Sequence, residues 1–127
     1  MISNSRQFVI LLAEDEMLVR NVVRAMLVEA GYMVLDAVDG ADALEVSRKY
    51  EGAIDLLLTD VKMPGMSGVE LSRHITRERP GIKVLLMSGK TSGEFRSAGP
   101  AVPLLRKPFM PKTLWEIMSA LLDSRTE

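Results

Sequence analysis

The chain has 127 residues and no cysteine, and 16 Lys and Arg against 17 Asp and Glu give a formal net charge of −1. This length predicts a single domain, residues 1–127 with a core of about 7–123, and the absence of cysteine excludes disulfides and thiol chemistry. The balanced charge, the short apolar runs and the polar residues 1–7 favour a cytoplasmic protein with no direct contact to nucleic acid or membrane.

Five apolar runs predict strands: residues 8–13, 33–38, 54–58, 82–87 and 102–105. The first, third and fourth lack polar alternation, so we expect them to be buried on both faces, as in a parallel sheet.

Segments with a helical period lie between these runs. The first carries an apolar stripe that closes before Gly31, and it comprises Val19, Val22, Val23, Met26, Leu27 and Ala30. Asp39 is predicted to cap a second helix that reaches about Lys49, and Ser67 or Gly68 begins a third.

The last helical stripe runs from Leu114 to Leu122. Residues 89–103 are rich in Gly and Pro, so the helix expected there is short, about Ser92 to Ala98. Five alternations of strand and helix predict a (βα)₅ domain with helices on both faces of the sheet.

Polar residues stand where the predicted strands end. Glu14 and Asp15 follow the first run, Asp60 the third, Ser88 the fourth and Lys107 the fifth. The carboxyl ends of parallel strands share one edge, so we expect these five residues to meet there. Three carboxylates beside one lysine leave an excess of negative charge, and Mg²⁺ is a hard cation that binds such oxygen ligands.

The same residues hold the groups that phosphoryl transfer needs. A carboxylate such as Asp60 can accept a phosphoryl group as an acyl phosphate. Lys107 and a metal would neutralise charge on the phosphoryl oxygens, and the Ser88 hydroxyl could donate to one of them.

These motifs resemble the receiver domain of two-component response regulators. They are Glu14-Asp15-Glu16, the stretch from Asp60 to Gly68, Ser88-Gly89 and Lys107-Pro108-Phe109, and the resemblance covers about residues 7–123. It implies a CheY-like, flavodoxin-like α/β fold with a five-stranded parallel sheet of order 2-1-3-4-5.

The resemblance also implies a role for each site residue. Asp60 would accept phosphate from a phosphohistidine on a sensor histidine kinase or a histidine phosphotransfer protein. Asp15, Asp60 and the backbone carbonyl of Lys62 would bind Mg²⁺, with Glu14 acting through a metal-bound water. Ser88 and Lys107 would hold the phosphoryl oxygens. The implied activity is a switch with self-phosphorylation and slow self-dephosphorylation rather than turnover of an external substrate, and homodimer formation stays open.

The sequence departs from the receiver pattern on one face. Leu104 stands where receivers often carry an aromatic residue, Gly89 replaces a small residue with a side chain, and the stretch from Ser88 to Lys107 is short. One hypothesis is that the signal leaves through the region of the fourth helix. We expect either a stand-alone receiver or a receiver from a larger protein such as a hybrid sensor kinase.

Other interpretations of the same residues remain. A degenerate receiver would use this domain as a phosphorylation-independent protein-interaction module. Glu14-Asp15-Glu16 could also simply stabilise a helix N-terminus. A phosphatase of the haloacid dehalogenase type is disfavoured, because it would require Asp-x-Asp after the first strand and a longer chain.

Overall fold

A computed structural model describes residues 7–89 and 102–123, in which strands and helices alternate along the chain. The strands are β1 (Val9–Ala13), β2 (Met33–Ala37), β3 (Leu56–Asp60), β4 (Lys83–Ser88) and β5 (Leu104–Arg106). The helices described are α1 (Met17–Glu29), α2 (Gly40–Lys49), α3 (Gly68–Glu78) and α4 (Pro111–Asp123).

The five strands form one parallel sheet in the order β2-β1-β3-β4-β5, which confirms the predicted topology. The central strands β1 and β3 are buried at every position, as their continuous apolar runs predict. The short helix predicted at 92–98 lies outside the described residues, so the helix after β5 is numbered α4 here.

Alternate residues of each strand serve opposite faces of the sheet. Ile10 and Leu12 of β1 pack with Leu27 of α1 and Met118 of α4 on one face. Leu11 of β1 belongs to a second core on the other face, together with residues of α2 and α3 that include Ala43, Leu44, Leu71 and Ile75. Helices therefore cover both faces of the sheet, and a site can form at the ends of its strands.

The predicted helix boundaries are confirmed where a cap defines them. Asp39 caps α2 by accepting a hydrogen bond from the Asp42 backbone N–H at 2.8 Å. Ser67 caps α3 in a reciprocal capping box with Glu70. Gly31 follows the end of α1 with φ of +97°, a conformation that favours glycine.

The first helical stripe is narrower than its period suggests. Val23 and Leu27 are buried, but Val22, which the helical period places on the same stripe, is 54% exposed. On this face α1 contacts β1, β2 and α4, and its side away from them meets solvent. Within the described parts of the chain, no helix combines the length and apolar character needed to cross a bilayer.

Candidate functional site

The carboxyl edge of the sheet carries a cleft of about 270 Å³. Its lining comes from four different strand ends: Asp15, Glu16, Asp60, Lys62, Ser88, Gly89 and Lys107. Glu14 is buried and contacts Lys107, one of the residues that line the cleft. The structure therefore brings together the five residues that the strand ends predict for this edge, and Lys62, which the resemblance adds, lines the same cleft.

Lys107 joins the two buried carboxylates. Its Nζ lies 3.2 Å from Glu14 Oε1 and 3.2 Å from Asp60 Oδ2. The Lys107 backbone N–H donates to the Ser88 carbonyl at 2.8 Å, which anchors the residue to the end of β4. The peptide bond between Lys107 and Pro108 is cis. A single ammonium group is thus fixed between carboxylates from β1 and β3.

Three carboxylates lie close enough to one another to share an ion. One ligand atom each from Glu14, Asp15 and Asp60 lies within 4.8 Å of the others. Glu14 is fully buried and Asp60 is 8% exposed, whereas Asp15 is open to solvent. Two acids are therefore withdrawn from water and one remains accessible at the surface of the same cluster.

The environment of the cluster makes ionisation of its two buried acids unfavourable. Burial raises the pKa of Glu14, and the nearby Asp60 adds to this against the opposing hydrogen bond from Glu16 and the charge of Lys107. Burial likewise raises the pKa of Asp60, although Lys107 opposes the shift. Burial alone would lower the pKa of Lys107, but Asp60 and Glu14 together raise it. Withdrawal from water, more than mutual repulsion, makes the acids harder to ionise.

A close backbone approach fixes the direction of Asp60. Gly68 begins α3 directly against this residue, and a Cβ at position 68 would collide with the Asp60 carbonyl oxygen. The Gly68 N–H also donates to the Val61 carbonyl at 2.8 Å, and Thr59 Oγ1 donates to the Asp60 carbonyl at 3.0 Å. The sequence Ser67-Gly68 therefore both caps α3 and lets it pack onto the strand that carries Asp60.

Glu14 does not act as a cap for α1. Glu16 is the residue at the N-cap position and makes no side-chain capping bond, and its backbone N–H instead donates to Glu14 Oε2 at 3.0 Å. Because the other Glu14 oxygen contacts Lys107, the alternative of a simple helix-stabilising acidic run does not describe this residue.

One contact at the site was not predicted from the sequence. Arg20, in α1, donates from Nη1 to the Glu14 carbonyl at 2.8 Å. A basic residue six positions after an acidic strand end is a weak signal for this contact, since many helix residues at that spacing point to solvent.

The positions that depart from the receiver pattern border the cleft or its neighbouring core. A Cβ on Gly89 would meet nothing within 4 Å, so the glycine leaves this wall of the cleft open. Leu104 is half-buried and packs against a small apolar cluster of Val61, Val69 and Leu86. The proposed output segment between them lies outside the described residues.

Comparison with known proteins agrees with this geometry. The family model of the response regulator receiver domain matches residues 10–119. The chain belongs to this family. It is 34% identical over 119 residues to the sensor kinase CckA of Brucella abortus, covering 91% of this chain and 13% of that protein. It is 31% identical over 120 residues to the aerobic respiration control protein ArcA of Escherichia coli K12, covering 92% of this chain and 49% of that protein.

Solved receiver structures have the same fold. A response regulator receiver protein from Sinorhizobium medicae superposes with a TM-score of 0.85 at 30% identity, covering 94% of this chain and 97% of the other. The present receiver chain spans about an eighth of the curated sensor kinase and about half of the respiration control protein that it matches. The family assignment thus concerns the receiver domain.

Proposed function

We propose that this receiver domain, about residues 7–123, is a phosphorylation-dependent switch in which Asp60 accepts a phosphoryl group from a phosphohistidine. The observation that carries the proposal is the position of the Asp60 carboxylate, which contacts Lys107 at 3.2 Å and lies within 4.8 Å of carboxylate oxygens of Glu14 and Asp15. A nucleophilic carboxylate, a fixed cation and an oxygen-rich metal site are the three parts that transfer to an aspartate requires.

The donor set fits Mg²⁺. All three side chains offer carboxylate oxygens, and Lys107 forms ion pairs with two of them, Glu14 and Asp60. We infer that Asp15, Asp60 and the Lys62 backbone carbonyl would bind the metal directly. Glu14 would act through a metal-bound water, which agrees with its carboxylate already being engaged by Lys107 and the Glu16 N–H. When bound, Mg²⁺ supplies positive charge that the carboxylates and an incoming phosphoryl group share.

The chain's own groups account for the transfer. A carboxylate oxygen of Asp60 forms the new O–P bond while the P–N bond of the phosphohistidine breaks and the imidazole leaves with the electron pair. Lys107 donates to a phosphoryl oxygen as that oxygen gathers charge. Ser88, a buried residue at the end of β4 that lines the cleft, would donate its hydroxyl to another.

The donor in this proposal is a sensor histidine kinase or a histidine phosphotransfer protein. The name of the curated relative CckA is that of a sensor kinase, which supports a setting in two-component signalling. The acyl phosphate stays attached to Asp60, so the chain would change state and lose the group by slow self-hydrolysis rather than turn over a substrate.

Intact mass spectrometry after incubation with acetyl phosphate and Mg²⁺ tests the proposal. The native chain is expected to gain one phosphoryl group, Asp60→Asn none, and the native chain with EDTA none. Asp42→Asn is a matched control, because Asp42 lies in α2, where its carboxylate accepts from the Val38 N–H. It should gain the group like the native chain. An unmodified native chain, or an Asp60→Asn variant that is modified as fully, would contradict the proposal, and the former would favour a phosphorylation-independent interaction module.

A further inference from the structure

Arg20 links the acidic loop, which consists of Glu14, Asp15 and Glu16 after β1, to β2, the strand at one side of the sheet. Its Nη1 donates to the Glu14 carbonyl at 2.8 Å, and its Nε lies 3.9 Å from Asp36 Oδ2 on β2. The side chain is 14% exposed, so the guanidinium is largely enclosed between the loop and the strand. A planar guanidinium can hold two acceptors in fixed directions, which a lysine ammonium does less well.

The carbonyl that Arg20 holds belongs to the peptide that joins Glu14 to Asp15. The Glu14 N–H on the other side donates to the Ala37 carbonyl at 3.2 Å. Both peptide planes that flank Glu14 are thereby fixed, one by β2 and the other by Arg20. The direction in which the chain leaves Glu14, and hence the starting point of the Asp15 side chain, depends on this second contact.

Asp15 depends on its backbone more than the other two acids do. Glu14 and Asp60 are held by Lys107, whereas the exposed Asp15 carboxylate forms no hydrogen bond within residues 7–89 and 102–123. A ligand without side-chain support is placed by the main chain alone, and a loosened main chain would let it leave the cluster.

We propose that Arg20 is a positioning residue for the metal site: by holding the Glu14 carbonyl it keeps the Asp15 carboxylate beside those of Glu14 and Asp60. This inference rests on the proposed function, because it assigns Arg20 a role in Mg²⁺ binding. Arg20 does not touch the metal site itself, and its effect is geometric rather than a matter of its charge.

The chain offers a matched control in Arg24. It carries the same charge on the same helix, and its Nε lies 3.8 Å from the same Asp36 oxygen. It is half-exposed and forms no hydrogen bond to the acidic loop in the described part of the chain. Removing Arg24 therefore removes an equal charge and an equivalent contact to Asp36 but leaves the Glu14 carbonyl held.

Titration of the full chain with Mg²⁺ alone, by calorimetry, separates the two arginines. Arg20→Met is expected to raise the Mg²⁺ dissociation constant by about tenfold or more, the range typical when a group that orients a metal ligand is lost. Arg24→Met should stay within about twofold of the native chain, the small change expected of an exposed ion pair. In ¹⁵N NMR spectra of the metal-free protein, the Asp15 amide signal should shift or broaden in Arg20→Met and not in Arg24→Met.

The outcomes are distinguishable. If the native chain binds Mg²⁺ and Arg20→Met binds it equally well, Arg20 has no positioning role and the proposed function is untouched. If both arginine variants weaken binding equally, charge and not geometry is responsible, and the inference is overturned. If the native chain itself binds no Mg²⁺, the proposed function fails and this inference with it. Should Arg20→Met not fold, Arg20→Gln, whose amide is two bonds too short for the contact, carries the same test.

Discussion

The two ends of the sheet use charge in opposite ways. At the carboxyl end, Glu14 and Asp60 are buried and share one cation, Lys107. At the amino end, where α2 and α3 finish, the guanidinium of Arg79 donates to four acceptors: Ser47 Oγ and the carbonyls of Ser47, Tyr50 and Gly52. Arg48 and Glu78 form a two-pronged ion pair beside it, with contacts of 3.1 and 2.6 Å.

The pKa values follow this division. The hydrogen bond from Arg48 lowers the pKa of Glu78, so this acid favours the folded state when ionised. Burial raises the pKa of Glu14 and Asp60, so the folded protein is more stable when these two acids are protonated and uncharged. The amino end therefore contributes stability, whereas the carboxyl end holds charges that an added cation would relieve. The proposed chemistry therefore lies at the carboxyl end, where the ionised forms of buried acids lower the stability of the fold.

The largest effect is expected from Lys107→Met. This change leaves two buried carboxylates without their cation, and in the metal-free protein it should lower the free energy of unfolding by about 3 kcal/mol. Urea unfolding measures this, and saturating Mg²⁺ should recover part of the loss. Lys49→Met is the matched control, since Lys49 pairs with Glu45 at the surface and should change stability by less than about 0.5 kcal/mol. Equal losses in the two variants would remove the distinction between the carboxyl end and the rest of the surface.

Arg79→Met should disturb the amino end alone. It leaves the partly buried carbonyls of Ser47 and Tyr50 at the end of α2 without this donor, and about 2 kcal/mol of stability should be lost. Arg77→Met, an exposed neighbour on α3, is its control and should be near neutral. Because neither residue touches the cleft, the Mg²⁺ dissociation constant should not change in either variant, and a change of severalfold would show that the two ends are coupled.

The positions of the site residues could be predicted because they depend on topology. Continuous apolar runs identify β1 and β3 as buried parallel strands, and parallel strands bring Glu14, Asp60 and Lys107 to one edge whatever the details of packing. The cap at Asp39 and the glycine at Gly31 are equally local, since each follows from the backbone conformation that its position requires.

Contacts made by long side chains could not be predicted in this way. Arg20 and Arg79 reach backbone carbonyls in other loops, and nothing in the local pattern distinguishes them from solvated helix residues. Trp115 is similar: its indole N–H donates to the Met26 carbonyl at 2.8 Å, 89 residues away. The raised pKa values are also a matter of burial depth, which the spacing of acids in the sequence does not contain.

Asp60→Asn should stabilise the metal-free protein, by about 1 kcal/mol near neutral pH. The pKa of Asp60 is raised in the folded state, so the protonated carboxyl binds its proton more tightly in the folded than in the unfolded protein. The stability that this difference supplies is complete below the unfolded-state pKa and is lost as pH rises through the folded-state pKa. Asparagine removes this loss, and the advantage of the variant should therefore grow with pH from the acidic range upward. Urea unfolding across that range measures it, and a variant that is less stable than the native chain at neutral pH would contradict the assignment of unfavourable charge to this end.

The smallest effect belongs to the pair of Arg48 and Glu78, and its pH dependence has the opposite sign. The pKa of Glu78 is lowered, so the stability that the pair supplies is present above the unfolded-state pKa and is lost as pH falls through the folded-state value. A double-mutant cycle of Arg48→Met and Glu78→Gln should give a small favourable coupling at neutral pH that fades in acid and in 1 M salt. The reason is that water reaches both side chains, which are 58% and 35% exposed. A coupling that instead grew on acidification would mean that the acids at both ends of the sheet have raised pKa values. Burial rather than ion pairing would then determine the pH dependence of stability at both ends.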